Sequence, residues 1–168
     1  YQQASKCYVY LADVSTSDYN AKNLDSENSM SDIGEPETGW KQEFRGSRWF
    51  TRGWTLQELI APASVEFFSV EGTCLGDKQS LEIDVQAITG IAIQALGGDN
   101  LATFGIEQKM TWASNRNTTR EEDQAYCLLG IFDVHLPLIY GEGKRAFRRL
   151  EREIRDTMNL GQTSHGRK

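Results

Sequence analysis

Cys7-Tyr-Val-Tyr-Leu-Ala-Asp-Val14 is a nearly unbroken apolar run rich in β-formers. A strand buried on both faces of a parallel sheet reads this way, so the run is predicted to be a central strand. Trp54-Thr-Leu-Gln-Glu-Leu-Ile60 reads as a short helix stopped by Pro62, and Ser64-Val-Glu-Phe-Phe-Ser69 as the next strand. Strand, crossover, strand units stay in one sheet with their strands parallel. Residues 7–14 and 64–69 are therefore expected to be parallel neighbours with the helix between them. Ser80 to Thr89 reads as a further helix closed by Gly90 as its C-cap, and the alternation implies an α/β domain.

The C-terminal part reads as helical. Thr118 and Thr119 each stand three residues before a glutamate, Glu121 or Glu122, the spacing of a capping box for a helix through Ala125, Leu128 and Leu129. Phe147, Leu150, Ile154 and Met158 recur at steps of three and four. They form the apolar stripe of a helix otherwise coated with Lys144, Arg145, Arg148, Arg149, Arg152 and Arg155. Residues 15–38 show little apolar periodicity and read as an acidic loop or insertion; residues 159–168 read as a flexible tail. With 168 residues, the chain accommodates one domain.

Charge and composition exclude several functions. The net charge is −6, and Asp13 to Glu37 carry seven acids against the single base Lys22, leaving the rest near neutral. A nucleic-acid partner needs a concentrated basic surface to displace counterions, and none is present. The basic face of the last helix reads as a solvated surface. Cys7, Cys74 and Cys127 are odd in number and widely spaced, which fits reduced thiols in the cytoplasm and neither a disulfide framework nor a metal clip. No apolar run reaches the length of a membrane span. His135 and His165 are the only histidines, and a triad would rest on His135 alone. Gly141-Glu-Gly-Lys144 lacks the first glycine of a phosphate loop, because Leu138 occupies that position, and Arg145 replaces the metal-binding hydroxyl.

Two long segments carry a family resemblance. Ser47-Arg-Trp-Phe-Thr-Arg-Gly-Trp-Thr-Leu-Gln-Glu-Leu-Ile-Ala-Pro62 resembles the central signature of fungal HET (heterokaryon-incompatibility) domains. Arg116-Asn-Thr-Thr-Arg-Glu-Glu-Asp-Gln-Ala-Tyr-Cys-Leu-Leu-Gly-Ile-Phe132 resembles their C-terminal signature. Lys6 to Val14 and Leu136 to Lys144 are similar to the family as well, so the likeness spans residues 1–158. The resemblance implies a TIR-like (flavodoxin-like) mostly parallel sheet flanked by helices, with a helical C-terminal part. The family's first two strands have no counterpart here. Together with a start at Tyr1 rather than Met, that gives the expectation of a partial domain.

The same resemblance implies an effector that triggers programmed cell death when genetically unlike hyphae fuse. Partners of such a domain are a C-terminal nucleotide-binding oligomerisation module, an allelic protein or a second copy. Trp54-x-x-x-Glu58-Leu59 is similar to a helix of TIR domains that cleave NAD, in which the glutamate is catalytic; Thr55 stands where many of them have Cys. Carried to this chain, Glu58 is the catalytic candidate of an NAD glycohydrolase, with NAD as substrate and neither cofactor nor metal. A carboxylate near the ribose can bind its hydroxyls and stabilise an oxocarbenium-like state, and the departing nicotinamide is already cationic. Trp54 could stack on a planar ring. Arg52 and Arg116 could meet the pyrophosphate, since guanidinium forks match phosphate oxygens. Each has a structural alternative: a Glu58–Arg52 pair, Trp49 and Trp54 in the core, and an Arg116–Asp123 ion pair. The alternatives to an enzyme are a non-catalytic, self-associating signalling module and an inactive truncated product.

Overall fold

The computed structural model describes residues 3–17 and 39–163. Within them, β1 (Lys6–Tyr10) precedes α1 (Gly39–Gly46), a 3-10 turn over Arg48–Thr51 and α2 (Thr55–Ile60). Next come β2 (Ser64–Phe68), β3 (Cys74–Asp77), α3 (Glu82–Thr89), α4 (Ile93–Leu96), a second 3-10 turn at Leu101–Thr103 and α5 (Ile106–Ser114). The chain closes with α6 (Asp123–Tyr126), α7 (Leu129–Phe132) and α8 (Arg145–Thr163). None of these helices is long and apolar enough to cross a membrane.

β1 and β2 pair in parallel, from Lys6 opposite Ser64 to Tyr10 opposite Phe68, with α2 between them in the chain, as the apolar runs and Pro62 predict. The strand order is β1-β2-β3 and β3 runs antiparallel to β2, so the described sheet is mixed rather than mostly parallel. β1 is therefore an edge strand here, not the central one expected. It ends at Tyr10 rather than Val14, and only one of its faces is buried. Val9 and then Leu11 point into the core, whereas Tyr8 and Tyr10 are 66% and 59% exposed. A tyrosine counts as apolar in a sequence run, but its hydroxyl tolerates water, so alternation was present beneath the apparent continuity.

On the inner face, Phe67 gathers an aromatic cluster that joins sheet to helices: ring centroids lie 5.2 Å from Phe44 of α1, 5.8 Å from Trp49 and 6.0 Å from Phe50. The first two contacts are edge-on and the Phe50 ring is tilted; such contacts add to the burial energy of the rings. Leu56 and Leu59 of α2 are fully buried in the same core. On the outer face, Tyr8 meets Phe68 at 5.9 Å and Lys6 pairs with Glu66 at 2.6 Å.

α3 ends where expected. Gly90 takes the left-handed conformation, φ 68°, and its N–H bonds the Gln86 carbonyl, a cap that a side chain at this position would strain. The capping box at Thr118 and Thr119 does not form. Thr118 Oγ1 donates to the Arg120 carbonyl at 2.6 Å, the helix begins at Asp123, and it breaks at Cys127–Leu128 into two short pieces. In α8, Leu150 and Ile154 are buried and Phe147 half-buried, while Met158 is 50% exposed, so the predicted stripe is buried along its first three positions. The helix continues to Thr163; residues 164–168 and 18–38, the latter holding most of the acidic loop, lie outside the described residues.

Candidate functional site

α2 is short because it is bounded on both sides. Its first turn is entered through Gly53 and Trp54, and Ala61 closes it before Pro62. The candidate residues on and around this helix divide by what they bond.

One group is interlocked with the C-terminal signature. Arg116 is 9% exposed. Its Nε donates to the Trp112 carbonyl at 3.2 Å, and its Nη1 to the Arg52 carbonyl at 3.0 Å and the Thr55 hydroxyl at 2.8 Å. The Thr55 hydroxyl in turn faces the carbonyls of Trp49 and Arg52, each at 2.7 Å. Asn117 completes the seam: its N–H donates to the Thr51 carbonyl at 2.7 Å, and its own carbonyl accepts from Gly53 at 2.8 Å. Gln57 Nε2 donates to the Cys127 carbonyl at 2.7 Å. A Cβ on Gly53 would stand 2.4 Å from Thr118 Cγ2 and 3.2 Å from Cys127 Sγ, so only glycine lets the two segments approach this closely. The motifs at residues 47–62 and 116–132 are thus two halves of one packed unit.

Burial shapes the electrostatics of this seam. It lowers the Arg116 pKa to about 10, against the opposing pull of Cys127 and Glu58, and raises the Cys127 thiol to about 11. Arg116 and Asp123 are not an ion pair; the Asp123 carboxylate accepts from the Tyr140 hydroxyl at 3.0 Å. One Arg116 nitrogen, Nη2, is buried without a partner.

Glu58, three residues after Thr55 and within electrostatic reach of Arg116, is half-buried one turn after Trp54, which packs half-buried against the core. Among the described residues, the Glu58 carboxylate has no hydrogen bond or ion pair. The Glu58–Arg52 pair does not form, and the Arg52 side chain is exposed. Glu58 lies within electrostatic reach of Cys7 on edge strand β1, whose thiol pKa is raised first by burial and then by this carboxylate. Trp49, by contrast, is committed to the cluster around Phe67.

Several other carboxylates among the described residues are held. Glu71 collects the hydroxyls of Ser15, Ser17 and Ser69 at 2.5–2.8 Å and the Thr16 N–H at 3.1 Å, bonds that hold it well below the usual carboxylate range. Asp13 feels burial pushing its pKa up, but the Arg48 N–H and the Ser47 hydroxyl prevail and lower it. Glu122 accepts from the backbone N–H of Gly143 at 3.0 Å and Gly141 at 2.7 Å, and these bonds lower its pKa. The glycine amides that would face an anion in a phosphate loop face an internal carboxylate instead. Glu142 pairs with Arg149 at 2.5 Å, and the Tyr126 hydroxyl accepts from the Ile139 N–H at 2.8 Å, fixing the Leu136–Lys144 loop to α6.

Two cavities flank the seam. One of about 650 Å³ lies on the Gln57, Ile60 and Ala61 side of α2 and reaches Lys109 and Asp133; one of about 270 Å³ lies between Gly53, Arg116, Cys127 and Phe147. Neither is lined by Glu58, Trp54 or Arg52. The structure therefore joins Glu58 and Trp54 on one helix, places Arg116 against the start of that helix, and leaves the Arg52 side chain outside. Sequence reasoning missed Gly53, Thr55 and Gln57 as the contacts that lock α2, although all three lie inside the signature.

No protein-family model and no solved structure matches the chain. Over 155 residues, 92% of its length, the chain is 54% identical to part of the vegetative incompatibility protein HET-E-1 of Podospora anserina. It spans 10% of that relative's length. Identity at this level includes both interlocking segments only if the match is nearly end to end, as it is. The chain belongs to the fungal HET-type incompatibility domains.

Proposed function

We propose that this domain is an effector of vegetative incompatibility that kills the fused cell by hydrolysing the nicotinamide–ribose bond of NAD, with Glu58 as the catalytic carboxylate. The observation that carries this reading is the state of Glu58. Asp13, Glu71, Glu122 and Glu142 are each bonded to the protein, whereas Glu58 is half-buried and bonded to nothing among the described residues. A carboxylate kept partly out of water and uncommitted is suited to receive ribose hydroxyls and to stabilise positive charge developing at the anomeric carbon. Water supplies the incoming oxygen, nicotinamide leaves as a neutral base, and ADP-ribose is the other product.

In this reading the TIR-like relation enters through the Trp54-x-x-x-Glu58 spacing. Trp54 stacks on the ring of the substrate and Arg52, with its side chain exposed, meets the pyrophosphate. Arg116 acts from behind, by holding the Arg52 carbonyl and Thr55 and so fixing the turn that aims α2. The experiment is NAD consumption and nicotinamide release by the domain within its full-length protein, compared with Glu58→Gln. Loss of cleavage with the fold retained supports the reading; cleavage by both proteins removes Glu58 from it.

A second reading rests on a different observation. The outer face of the sheet exposes Tyr8 and Tyr10 beside Phe68 on edge strand β1, and an open edge can pair with another chain. A non-catalytic, self-associating module would use that edge. Tyr8→Lys with Tyr10→Lys would then abolish both assembly and cell death, and Glu58→Gln would abolish neither.

A further inference from the structure

The geometry points to a second ligand site, in the 650 Å³ cavity beside Gln57, Ile60 and Ala61 that Glu58 does not line, which takes a small organic monocarboxylate through Lys109. Lys109 is 8% exposed, and its ammonium stands 5.3 Å from the centre of the Phe132 ring. Both residues line the cavity. Among the described residues no carboxylate lies within ion-pair distance of that ammonium and no acceptor bonds it. The ring offers partial compensation, since an aromatic face attracts a cation without neutralising it. Burial disfavours the charged amine and lowers its pKa. A buried, incompletely solvated cation lining a cavity of metabolite size is a place where an anion gains most.

The surroundings select the kind of anion. Asp133, the one non-glycine residue with positive φ among the described residues, acts on Lys109 by charge without pairing with it. Asp133 and Asp99 both line the cavity from exposed positions. A dianion would meet two rim carboxylates for one inner cation, whereas a single carboxylate reaches Lys109 with less opposition. Ile60, Ala95, Leu101 and Ile131 supply the apolar part of the lining and Gln57 and Asn100 a polar part, so the ligand's body can carry an apolar group beside its carboxylate. This site is independent of the Glu58 reading, because Glu58 does not line the cavity.

The test uses phenylacetate as probe, with phenethylamine and inorganic phosphate as controls, added to the isotopically labelled 168-residue chain and followed by amide NMR. Phenylacetate is expected to shift the amides of Asn100, Gly130 and Asp133, and neither control to do so. Lys109→Met keeps the apolar stem and removes the charge, so affinity for phenylacetate should fall at least about tenfold. Ala102→Trp places a bulky ring at an exposed lining position and should block binding while Lys109 is intact. Absence of shifts with phenylacetate, unchanged affinity in either variant, or equal binding of phenethylamine or phosphate would overturn the assignment.

Discussion

The side chains of α2 differ in what they have already bonded. Toward the C-terminal signature, Thr55 and Gln57 are committed to Arg116 and to the Cys127 carbonyl, and Gly53 is closed against Thr118. On the same helix, within electrostatic reach of Cys7 on β1, Glu58 is half-buried and, among the described residues, has no hydrogen bond or ion pair. A segment of six helical residues cannot hold its own position in water, because so short a helix is marginal without tertiary contacts. The bonds of Thr55 and Gln57 supply the rigidity. The difference teaches that much of the family signature is used in structure: Thr51, Arg52, Gly53, Thr55 and Gln57 all bond to or pack against residues 116–132.

Substitutions separate the bonded residues from Glu58 by size of effect. Arg116→Met should be the most damaging, because it leaves the Arg52 and Trp112 carbonyls and the Thr55 hydroxyl short of a donor. A loss of about 3 kcal/mol is expected even after relief of the buried charge, read from denaturant unfolding. If Arg116→Met proves as stable as wild type, the seam does not hold α2. Gly53→Ala comes next. Its Cβ must displace the Thr118 methyl, and overpacking of this kind costs about 2 kcal/mol; a neutral result would mean that the two segments can part without penalty.

The loop that closes over the seam should respond to acid. Hydrogen bonding depresses the folded-state pKa of Glu122. Its stabilising contribution is therefore complete above the ordinary carboxylate range and is lost as pH falls through the depressed folded value. Protection factors of the Gly141 and Gly143 amides, taken relative to base-catalysed exchange of the free peptide at each pH, should fall on acidification in the wild type. In Glu122→Gln they should be lower already at neutral pH and change little with acid; wild-type protection in that variant would show that the charge of Glu122 does not hold the loop.

The same contrast separates what the sequence disclosed from what it concealed. The β1–β2 pair, α2 with its Pro62 stop, the Gly90 cap and the buried positions of α8 were readable because each depends on local pattern. β3 was not, because Cys74-Leu-Gly-Asp77 is too short to alternate and is defined by its partner. The capping box failed because Thr118 found a nearer acceptor at Arg120, leaving the helix to start at Asp123. Arg116 was picked out as a phosphate ligand or an ion-pair partner of Asp123. Its actual acceptors are the Trp112 carbonyl one turn back and, more than sixty residues away, the Arg52 carbonyl and the Thr55 hydroxyl, a distant relation invisible to residue type or spacing. Lys109 was unreadable for a like reason: a lysine within a helix reads as solvated until a neighbouring helix covers it.

Glu58→Gln should have the smallest effect on the fold, within about 0.5 kcal/mol, since no bond seen in the described residues is lost. For the same reason it is the most direct test of the account. NAD consumption and nicotinamide release should be measured for wild-type and Glu58→Gln forms of the full-length protein, alongside their unfolding midpoints. The account predicts that cleavage falls by about a hundredfold or more while the midpoint stays where it is. Equal cleavage by the two proteins, or a collapse of the midpoint in Glu58→Gln, would contradict it.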